Sequence, residues 1–182
     1  MRWALMIGCL ALATPEVHGK VAGTTLANLV VQADTVVLGT VIRVERSDGW
    51  QVAHIAVAET LEGAPAPVLL YLASPTWMCD ISSATVGEGA MFFLSIAARS
   101  EGDPSPPARL RGLPVLQLTS AGRGRMPLRE VDGVMFARVW TIDVELPAEV
   151  ATIPDPDSPG TSTELAELRT LREVVERLLT GQ

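Results

Sequence analysis

The stretch DTVVLGTVIRVERSDGWQVAHIAVAETLEG, residues 34–63, has the pattern of a long β-hairpin. The Ser-Asp-Gly sequence at 47–49 supplies the turn, and Leu-Glu-Gly at 61–63 ends the second strand. Apolar residues of the first strand recur with period two and are expected on one face: Val36, Leu38, Ile42 and Val44. Gly39 interrupts this strand, which predicts a bulge or a sharp bend of the kind that lets a strand coil into a closed barrel.

Five further strands are expected after the hairpin. They are predicted at APVLLYLAS (66–74), AMFFLSIAA (90–98), LPVLQLT (113–119), RMPLREV (125–131) and GVMFARVWTIDVEL (133–146). The last segment does not alternate cleanly, so a bulge or a break is expected within it. A short helix is predicted over 24–34, where Leu26, Leu29 and Val30 have helical spacing.

The C-terminal segment has the clearest helical pattern of the chain. PDPDSPG at 154–160 has the composition of a linker, and Thr161 and Glu164 after it form a capping box. Apolar residues then follow at helical spacing: Leu165, Leu168, Leu171, Val175, Leu178 and Leu179. This predicts an amphipathic helix over 161–180 that packs on the rest of the fold, with a docking surface for a partner helix as the alternative.

Many short strands with turns between them, closed by one amphipathic helix, are typical of a small β-barrel or a sandwich. Three motifs within this pattern resemble the netrin-like family of secreted proteins, which includes the tissue inhibitors of metalloproteinases. The motifs are Ala33, Asp34, Val36, Gly39 and Val41; then Leu61, Glu62 and Gly63; then Cys79 with Val86, Gly87, Phe92, Phe93 and Leu94. The resemblance covers about residues 33–95 and weakens towards residue 146.

The resemblance implies a mainly β fold built on a small closed Greek-key barrel of the OB-like type. The barrel would have five strands, with Gly39 at the strand bend, and would occupy residues 20–153. A short N-terminal helix and the C-terminal amphipathic helix would complete the fold. The animal inhibitors of this family chelate a protease zinc ion through an N-terminal cysteine, whereas this chain would begin Lys20-Val21-Ala22-Gly23 after removal of a signal peptide.

Residues 1–19 have the organisation of a secretory signal peptide. Arg2 precedes an apolar run over residues 3–13, and Pro15 and small residues lead to Gly19. The run is shorter than the ~20 residues that a membrane-spanning helix needs. We favour cleavage after Gly19 over cleavage after Ala13 and expect a secreted or periplasmic protein, a buried N-terminal helix being the alternative.

The charge of the chain bears on its partners. A net charge of −7 at pH 7 disfavours non-specific binding to nucleic acid and to anionic membranes, and no later segment has the length of a membrane span. Arginines cluster between residues 104 and 129 with no acid among them: Arg109, Arg111, Arg123, Arg125 and Arg129. The cluster is explained either by a solvated basic face or by an arginine-lined groove for an anionic ligand.

Cys79 lies in the sequence Trp-Met-Cys-Asp at 77–80, and Cys9 would be lost with a signal peptide. An odd cysteine in an exported chain indicates an intermolecular disulfide, a reactive thiol or a buried thiol. A catalytic thiol needs a base, and after residue 19 the only histidine is His54. We therefore favour a semi-buried thiol packed against Trp77, with a disulfide-linked homodimer through Cys79 as the alternative.

These observations favour an exported binding or interaction protein with no catalytic residues, no metal and no cofactor. One cysteine and one histidine supply too few ligands for a zinc site, and OB barrels bind ligands on one strand face and its flanking loops. The candidate binding residues are Trp50, Trp77, Cys79, Arg109, Arg111, Arg123 and Arg125.

The expected partner is an unidentified protein or a small anionic ligand. Two other functions remain as alternatives: a protease inhibitor that inserts a loop or an N-terminal segment into a protease cleft, and a thiol-dependent enzyme or redox protein that uses Cys79.

Overall fold

The computed structural model describes residues 23–47, 50–73, 83–96, 113–120 and 122–181. Within these ranges the chain is mainly β. The strands are β1 (Thr24–Thr25), β2 (Thr35–Ser47), β3 (Trp50–Glu62), β4 (Val68–Leu72), β5 (Gly89–Ile96), β6 (Val115–Leu118), β7 (Arg125–Val131), β8 (Val134–Trp140), β9 (Val144–Glu145), β10 (Thr152–Pro154) and β11 (Thr163–Glu167). The helices are α1 (Leu26–Gln32) and α2 (Leu168–Leu179).

Strands β2 to β6 close into a five-stranded barrel. β2 pairs with β3, β3 with β4, β4 with β6, β6 with β5, and β5 pairs back with β2. Every pairing is antiparallel except that of β4 with β6, which is parallel. Closure satisfies the backbone donors and acceptors that an open sheet would leave at its edges. The predicted fold class, a small OB-like β-barrel with a C-terminal helix, is confirmed.

Gly39 is the point at which β2 bends. The register of β2 against β3 shifts at three places, one of which lies between Leu38 and Gly39. A Cβ atom at Gly39 would lie 2.5 Å from Cγ2 of Ile55 and 2.6 Å from the carbonyl oxygen of Ala56. The two strands approach so closely here that only glycine fits, and the predicted irregularity at Gly39 is confirmed.

The same register shifts make the predicted apolar face of β2 wrong. Val36 and Leu38 pack in a cluster with the helices, whereas Val44 packs in the barrel interior and Ile42 is 51 % exposed. A bulge adds one residue to a strand, so the side chains beyond it change faces. A strict period of two cannot predict those changes.

β5 is buried on both faces and therefore joins two apolar cores. Ala90, Phe92 and Leu94 fill the barrel interior together with residues of β2, β3, β4 and β6. Met91 and Phe93 point to the opposite side, into a second core that includes residues of α1 and α2. The unbroken apolar run in this strand follows from burial on both faces, which removes the usual alternation of apolar and polar residues.

β7 leads the sheet out of the barrel into an antiparallel extension. β6 pairs with residues 94–96 of β5 and β7 pairs with residues 90–92, so the two strands lie end to end along β5. β7, β8, β11 and β10 then follow in that spatial order. The sheet therefore continues through residue 167, beyond the predicted barrel boundary at residue 153, while the closed barrel ends at Leu118.

The short helix predicted before the hairpin is α1. The hydroxyl of Thr25 caps its N-terminus by accepting a hydrogen bond from the backbone N–H of Asn28, and Leu26, Leu29 and Val30 are buried. In the described part of the chain, neither this helix nor α2 has the length and apolar character needed to cross a membrane.

The C-terminal helix begins at Leu168, and the prediction of helix over 161–167 is wrong. Residues 163–167 form β11, which pairs along β8 from Thr163 opposite Trp140 to Glu167 opposite Phe136. The predicted capping box is absent because the hydroxyl of Thr161 accepts a hydrogen bond from the N–H of Thr163 within the turn. The exposed backbone of β8 offers this segment a full ladder of hydrogen bonds, which outweighs its helical pattern.

Residues 154–160, predicted as a linker, belong to the ordered connection between β10 and β11. Asp155 in this connection is 1 % exposed. Its Oδ1 atom accepts a hydrogen bond of 2.8 Å from Nη1 of Arg129, and its Oδ2 atom lies 2.7 Å from Nε of Arg138. These two ion pairs hold the connection against β7 and β8, so the segment is part of the folded unit.

Candidate functional site

A pocket of about 170 Å³ lies where the barrel meets the extension of the sheet. Its lining comes from the turn before β5, the connection between β6 and β7, the strands β7 and β8, and the turn after β8. The side chains that determine its chemistry are Glu88, Arg123, Arg125, Arg138, Trp140 and Asp143. Three guanidinium groups and two carboxylates thus share one small space with an indole ring.

Arg123 reaches the pocket from the connection between β6 and β7, which is held tightly against β5. The N–H of Phe93 donates to the carbonyl of Gly124 at 2.7 Å, and the N–H of Thr119 donates to the carbonyl of Phe93 at 3.1 Å. A Cβ atom at Gly124 would lie 2.4 Å from both the Phe93 carbonyl oxygen and the Thr119 hydroxyl oxygen. Glycine at this position therefore allows the turn that carries Arg123 to close on the barrel wall.

Arg123 is 7 % exposed, and two of its nitrogen atoms are paired. Nη1 donates a hydrogen bond of 3.2 Å to the carbonyl of Ser120, and Nη2 donates one of 3.1 Å to Oδ1 of Asp143. Its Nε atom is buried and has no hydrogen-bond partner among the described residues. The side chain is therefore fixed in place, and Nε is its one nitrogen atom without a hydrogen bond to the described residues.

Arg125 and Arg138 are oriented in the same way by groups of the protein. Nη1 of Arg125 donates to the carbonyl of Ser83 and lies 3.2 Å from Oε1 of Glu88. Nε of Arg138 is 2.7 Å from Oδ2 of Asp155, without the alignment of a hydrogen bond. Each guanidinium thus has a carboxylate on one side and the pocket on the other.

Buried polar atoms without hydrogen bonds concentrate at this pocket. In the part of the chain that the structure describes, they include Oε1 of Glu88, Nε of Arg123 and Nε of Arg138. The first is an acceptor that lies 3.2 Å from Nη1 of Arg125, and the third is a donor that lies 2.7 Å from Oδ2 of Asp155, so both are in ion pairs. Buried polar groups are nearly always hydrogen-bonded in folded proteins, so Nε of Arg123 is the atom of these three that needs an explanation.

The barrel interior ends beside this cluster of charges. The Tyr71 hydroxyl is buried and has no hydrogen-bond partner among the described residues, and its ring lies 5.8 Å from that of Phe92. Burial raises the pKa of Tyr71 to about 12, an effect that the charge of Arg125 opposes and that of Glu88 reinforces. The charges that line the pocket therefore act on the barrel core as well.

A second group of ion pairs adjoins the pocket through Asp155, which contacts Arg138. Nη1 of Arg129 contacts both Asp155 and Asp157, the latter at 2.6 Å. The hydrogen bond between Arg129 and Asp157 lowers the pKa of the Asp157 carboxyl and raises the pKa of the Arg129 guanidinium. Because Asp155 also pairs with Arg138, the connection between β10 and β11 helps to position one of the pocket's arginines.

Two of the predicted binding residues, Arg123 and Arg125, line this pocket together. Trp77, Cys79, Arg109 and Arg111 lie outside the described residues, and so does the side chain of Trp50, which opens β3. The predictions that rest on the thiol, including the disulfide-linked homodimer, therefore stay predictions.

Sequence reasoning missed four contributors to the pocket: Glu88, Arg138, Trp140 and Asp143. Arg138 offered one signal, because it stands alone among the acidic residues that follow residue 129 and lies within the apolar sequence Phe-Ala-Arg-Val-Trp. A charged residue inside an apolar strand is usually paired or functional. The two acids carried no such signal in the sequence.

His54 does not line this pocket. It lies in β3, where its Nε2 atom is 3.2 Å from Oε1 of Glu45, and Glu45 also pairs with Arg43 at 2.6 Å. No group of three or more histidine, cysteine, aspartate or glutamate side chains among the described residues could hold a metal ion.

No protein-family model matches the chain, and no curated protein is similar to it. A function must therefore be argued from the pocket itself.

Proposed function

We propose that this chain is an exported binding protein without catalytic activity, and that its pocket holds an anionic group of the ligand between Arg123, Arg125 and Arg138. The observation that carries the proposal is Nε of Arg123, a donor on a side chain that is 93 % buried and has no hydrogen-bond partner among the described residues. Export is supported by the signal-like pattern of residues 1–19.

An anion accounts for the unpaired donor of Arg123. A buried donor without an acceptor costs about 1–3 kcal/mol, and a carboxylate or phosphate oxygen is the acceptor that a guanidinium prefers. Arg123 and Arg138 both line the pocket, but Nε of Arg138 lies 2.7 Å from Oδ2 of Asp155, whereas Nε of Arg123 has no partner among the described residues. An oxyanion beside Arg123 would satisfy this donor with a charge-assisted hydrogen bond.

The arrangement also supports binding without prior rearrangement. Asp143 and Glu88 hold Arg123 and Arg125 in fixed positions, so little side-chain freedom would be lost when a ligand enters. Each of the three arginines already has one carboxylate partner. The attraction for an anion therefore comes from the unpaired Nε donor of Arg123 and not from an excess of positive charge.

The lining supports binding rather than catalysis. An arginine side chain stays protonated in proteins and cannot serve as a general base. The described residues that line the pocket include no thiol, hydroxyl or imidazole side chain, which are the usual nucleophiles and bases. The two carboxylates are each occupied by an arginine.

The test is thermal unfolding and calorimetry of the purified protein with sodium acetate, succinate or phosphate, against sodium chloride at equal ionic strength. A ligand at 100 times its Kd stabilises the native state by about 2.7 kcal/mol, which raises Tm by several degrees. The matched variants are Arg123→Lys, which keeps the charge and removes the Nε donor, and Arg169→Lys, which changes an exposed arginine of α2 outside the pocket lining.

We expect an oxyanion-specific rise in Tm that Arg123→Lys abolishes and Arg169→Lys retains. Equal Tm values in all four salts, or equal shifts in wild type and Arg123→Lys, would refute an anion site at this pocket. Circular dichroism of each variant checks that the fold is intact.

A further inference from the structure

Resting on the proposed function, we infer that the anionic group is the carboxylate of an acidic side chain on a partner protein. The partner would insert one glutamate or aspartate into the pocket and cover its mouth with apolar contacts to Trp140 and Ile142. The pocket would then be the centre of a protein–protein interface and not a site for a free small molecule.

The size of the pocket is the first argument. Its volume of about 170 Å³ is close to the ~150 Å³ of an apolar cavity that takes up one benzene molecule. Dedicated small-molecule sites measure about 300–1,000 Å³. A space of this size accommodates one side chain. The rest of the protein that carries this side chain must therefore remain outside the pocket and lie against the surrounding surface.

The mixture of unpaired groups is the second argument. Nε of Arg123 is a donor with no partner among the described residues, and Oε1 of Glu88 is an acceptor that lies 3.2 Å from Nη1 of Arg125 without the alignment of a hydrogen bond. A simple oxyanion such as phosphate dianion or acetate offers acceptors alone, so it can bind Nε of Arg123 but gives Oε1 of Glu88 no donor. An acidic residue within a polypeptide supplies a carboxylate and, a few bonds away, a backbone N–H that can donate.

The surface around the mouth is the third argument. Trp140 lines the pocket and is 40 % exposed, and Ile142, two residues further along the same turn, is 73 % exposed. Tryptophan and arginine dominate the energetic centres of protein interfaces, where apolar neighbours exclude water from a buried polar contact. A desolvated carboxylate between arginines, with an indole and an isoleucine beside it, has this composition.

A partner carboxylate also fits the charges of the molecule. The net charge of −7 repels an acidic partner only weakly at physiological salt, because the Debye length is about 8 Å. Within that distance the partner side chain meets the unpaired Nε donor of Arg123 and the two other arginines of the pocket lining. The attraction is therefore local, and it selects for one acidic residue rather than for an acidic partner as a whole.

The experiment uses capped peptides as probes and two-dimensional NMR of the full protein labelled with ¹⁵N. The probes are acetyl-Ala-Glu-Leu-amide, acetyl-Ala-Gln-Leu-amide, acetyl-Ala-Gln-Leu with a free C-terminus, and acetate. The readouts are the indole N–H of Trp140 and the Nε–H of Arg123, assigned with Trp140→Phe and Arg123→Lys. Titration gives an affinity for each probe.

We expect the capped glutamate peptide to shift both signals and to bind at least tenfold more tightly than acetate, with the capped glutamine peptide not binding. Ile142→Ser should weaken the glutamate peptide about tenfold. The matched control is Ile96→Ser, which changes an isoleucine that is 69 % exposed at the far end of β5 and should leave the affinity unchanged.

The other outcomes separate the two proposals. Acetate binding as tightly as the glutamate peptide, or Ile142→Ser without effect, overturns the partner-protein inference and leaves the anion site standing. Tighter binding of the free C-terminus than of the glutamate side chain overturns the choice of a side-chain carboxylate. If no probe shifts either signal, the inference is overturned, and the phosphate and succinate measurements of the preceding test decide whether the anion site stands.

Discussion

Replacing Gly39 by alanine tests whether the barrel depends on a strand bend that only glycine permits. Gly39 lies in β2 at a register shift against β3. A Cβ atom there would lie 2.5 Å from Cγ2 of Ile55 and 2.6 Å from the carbonyl oxygen of Ala56. The Ile55 methyl would have to retreat by roughly 0.9 Å to reach the 3.4 Å at which ordinary contact begins.

Neither neighbour of Gly39 can move freely. Ile55 is fully buried in the barrel interior, and the carbonyl of Ala56 belongs to the backbone of the paired strand. Inserting one methyl group into a packed core costs about 1–3 kcal/mol, and we expect about 3 kcal/mol because one clash is with backbone. For a chain of this size that loss lowers Tm by about 6–12 °C.

Gly89→Ala is the matched control, since Gly89 opens β5 and pairs with Thr40, the neighbour of Gly39. A Cβ atom at Gly89 would have no contact closer than 3.9 Å, so the substitution should raise stability by about 0.4–1 kcal/mol through the unfolded state. Urea unfolding followed by circular dichroism measures both variants. Equal midpoints for Gly39→Ala and Gly89→Ala would refute the assignment of Gly39 to a close strand approach.

Three other substitutions test contacts that the fold requires. Because the pKa of Tyr71 is raised from 10 to about 12, its contribution to stability should be complete below pH 10 and fall by about 2 kcal/mol as the pH rises to 12; Tyr71→Phe should lose this fall in pH-dependent urea unfolding. Asp155→Asn should cost about 1.5–3 kcal/mol, because it removes the charge of a buried carboxylate that contacts two partly exposed arginines, whereas Asp157→Asn, at an exposed carboxylate, should leave the urea midpoint nearly unchanged; equal effects would contradict the role of the buried carboxylate. Thr25→Ala should lower stability by about 1 kcal/mol through loss of the α1 cap, and an unchanged Tm would show that the cap contributes nothing.

Local signals in the sequence were sufficient to predict most elements of the barrel. Glycine in the middle of an apolar strand predicted the bend at Gly39, and the apolar run before residue 97 predicted β5. The break expected within residues 133–146 is present, because β8 ends at Trp140 and β9 starts at Val144. Each of these features depends on the chain's own conformational preferences or on a short pattern.

Features set by distant partners could not be predicted in the same way. The segment TELAE at 163–167 has a helical pattern but forms β11, since β8 lies beside it with unpaired backbone groups. Asp155 was assigned to a linker because proline and glycine surround it, while its burial depends on Arg129 and Arg138 from two other strands. No local rule contains that information.

The site was predictable only in part for the same reason. Arg123 and Arg125 are predicted as binding residues because they belong to a run of arginines. Such a run is equally consistent with a solvated basic face. Arg123 and Arg125 are distinguished from such a face because they lie beside Arg138 of the following strand. The carboxylates of Glu88 and Asp143 line the same pocket. Convergence of charges from separate elements is a property of topology.

The position of the pocket follows from how the sheet leaves the barrel. β6 and β7 pair with the same edge of β5, so β6 must end where β7 begins. The chain that connects them must therefore turn away from β5 between the two pairings. Gly124 allows that turn to close against Phe93, which places Arg123 and Arg125 on either side of the glycine. The break between β6 and β7 thus places two arginines, one of them buried, in the pocket where the barrel meets the extension of the sheet, and it supplies the site on which both proposals rest.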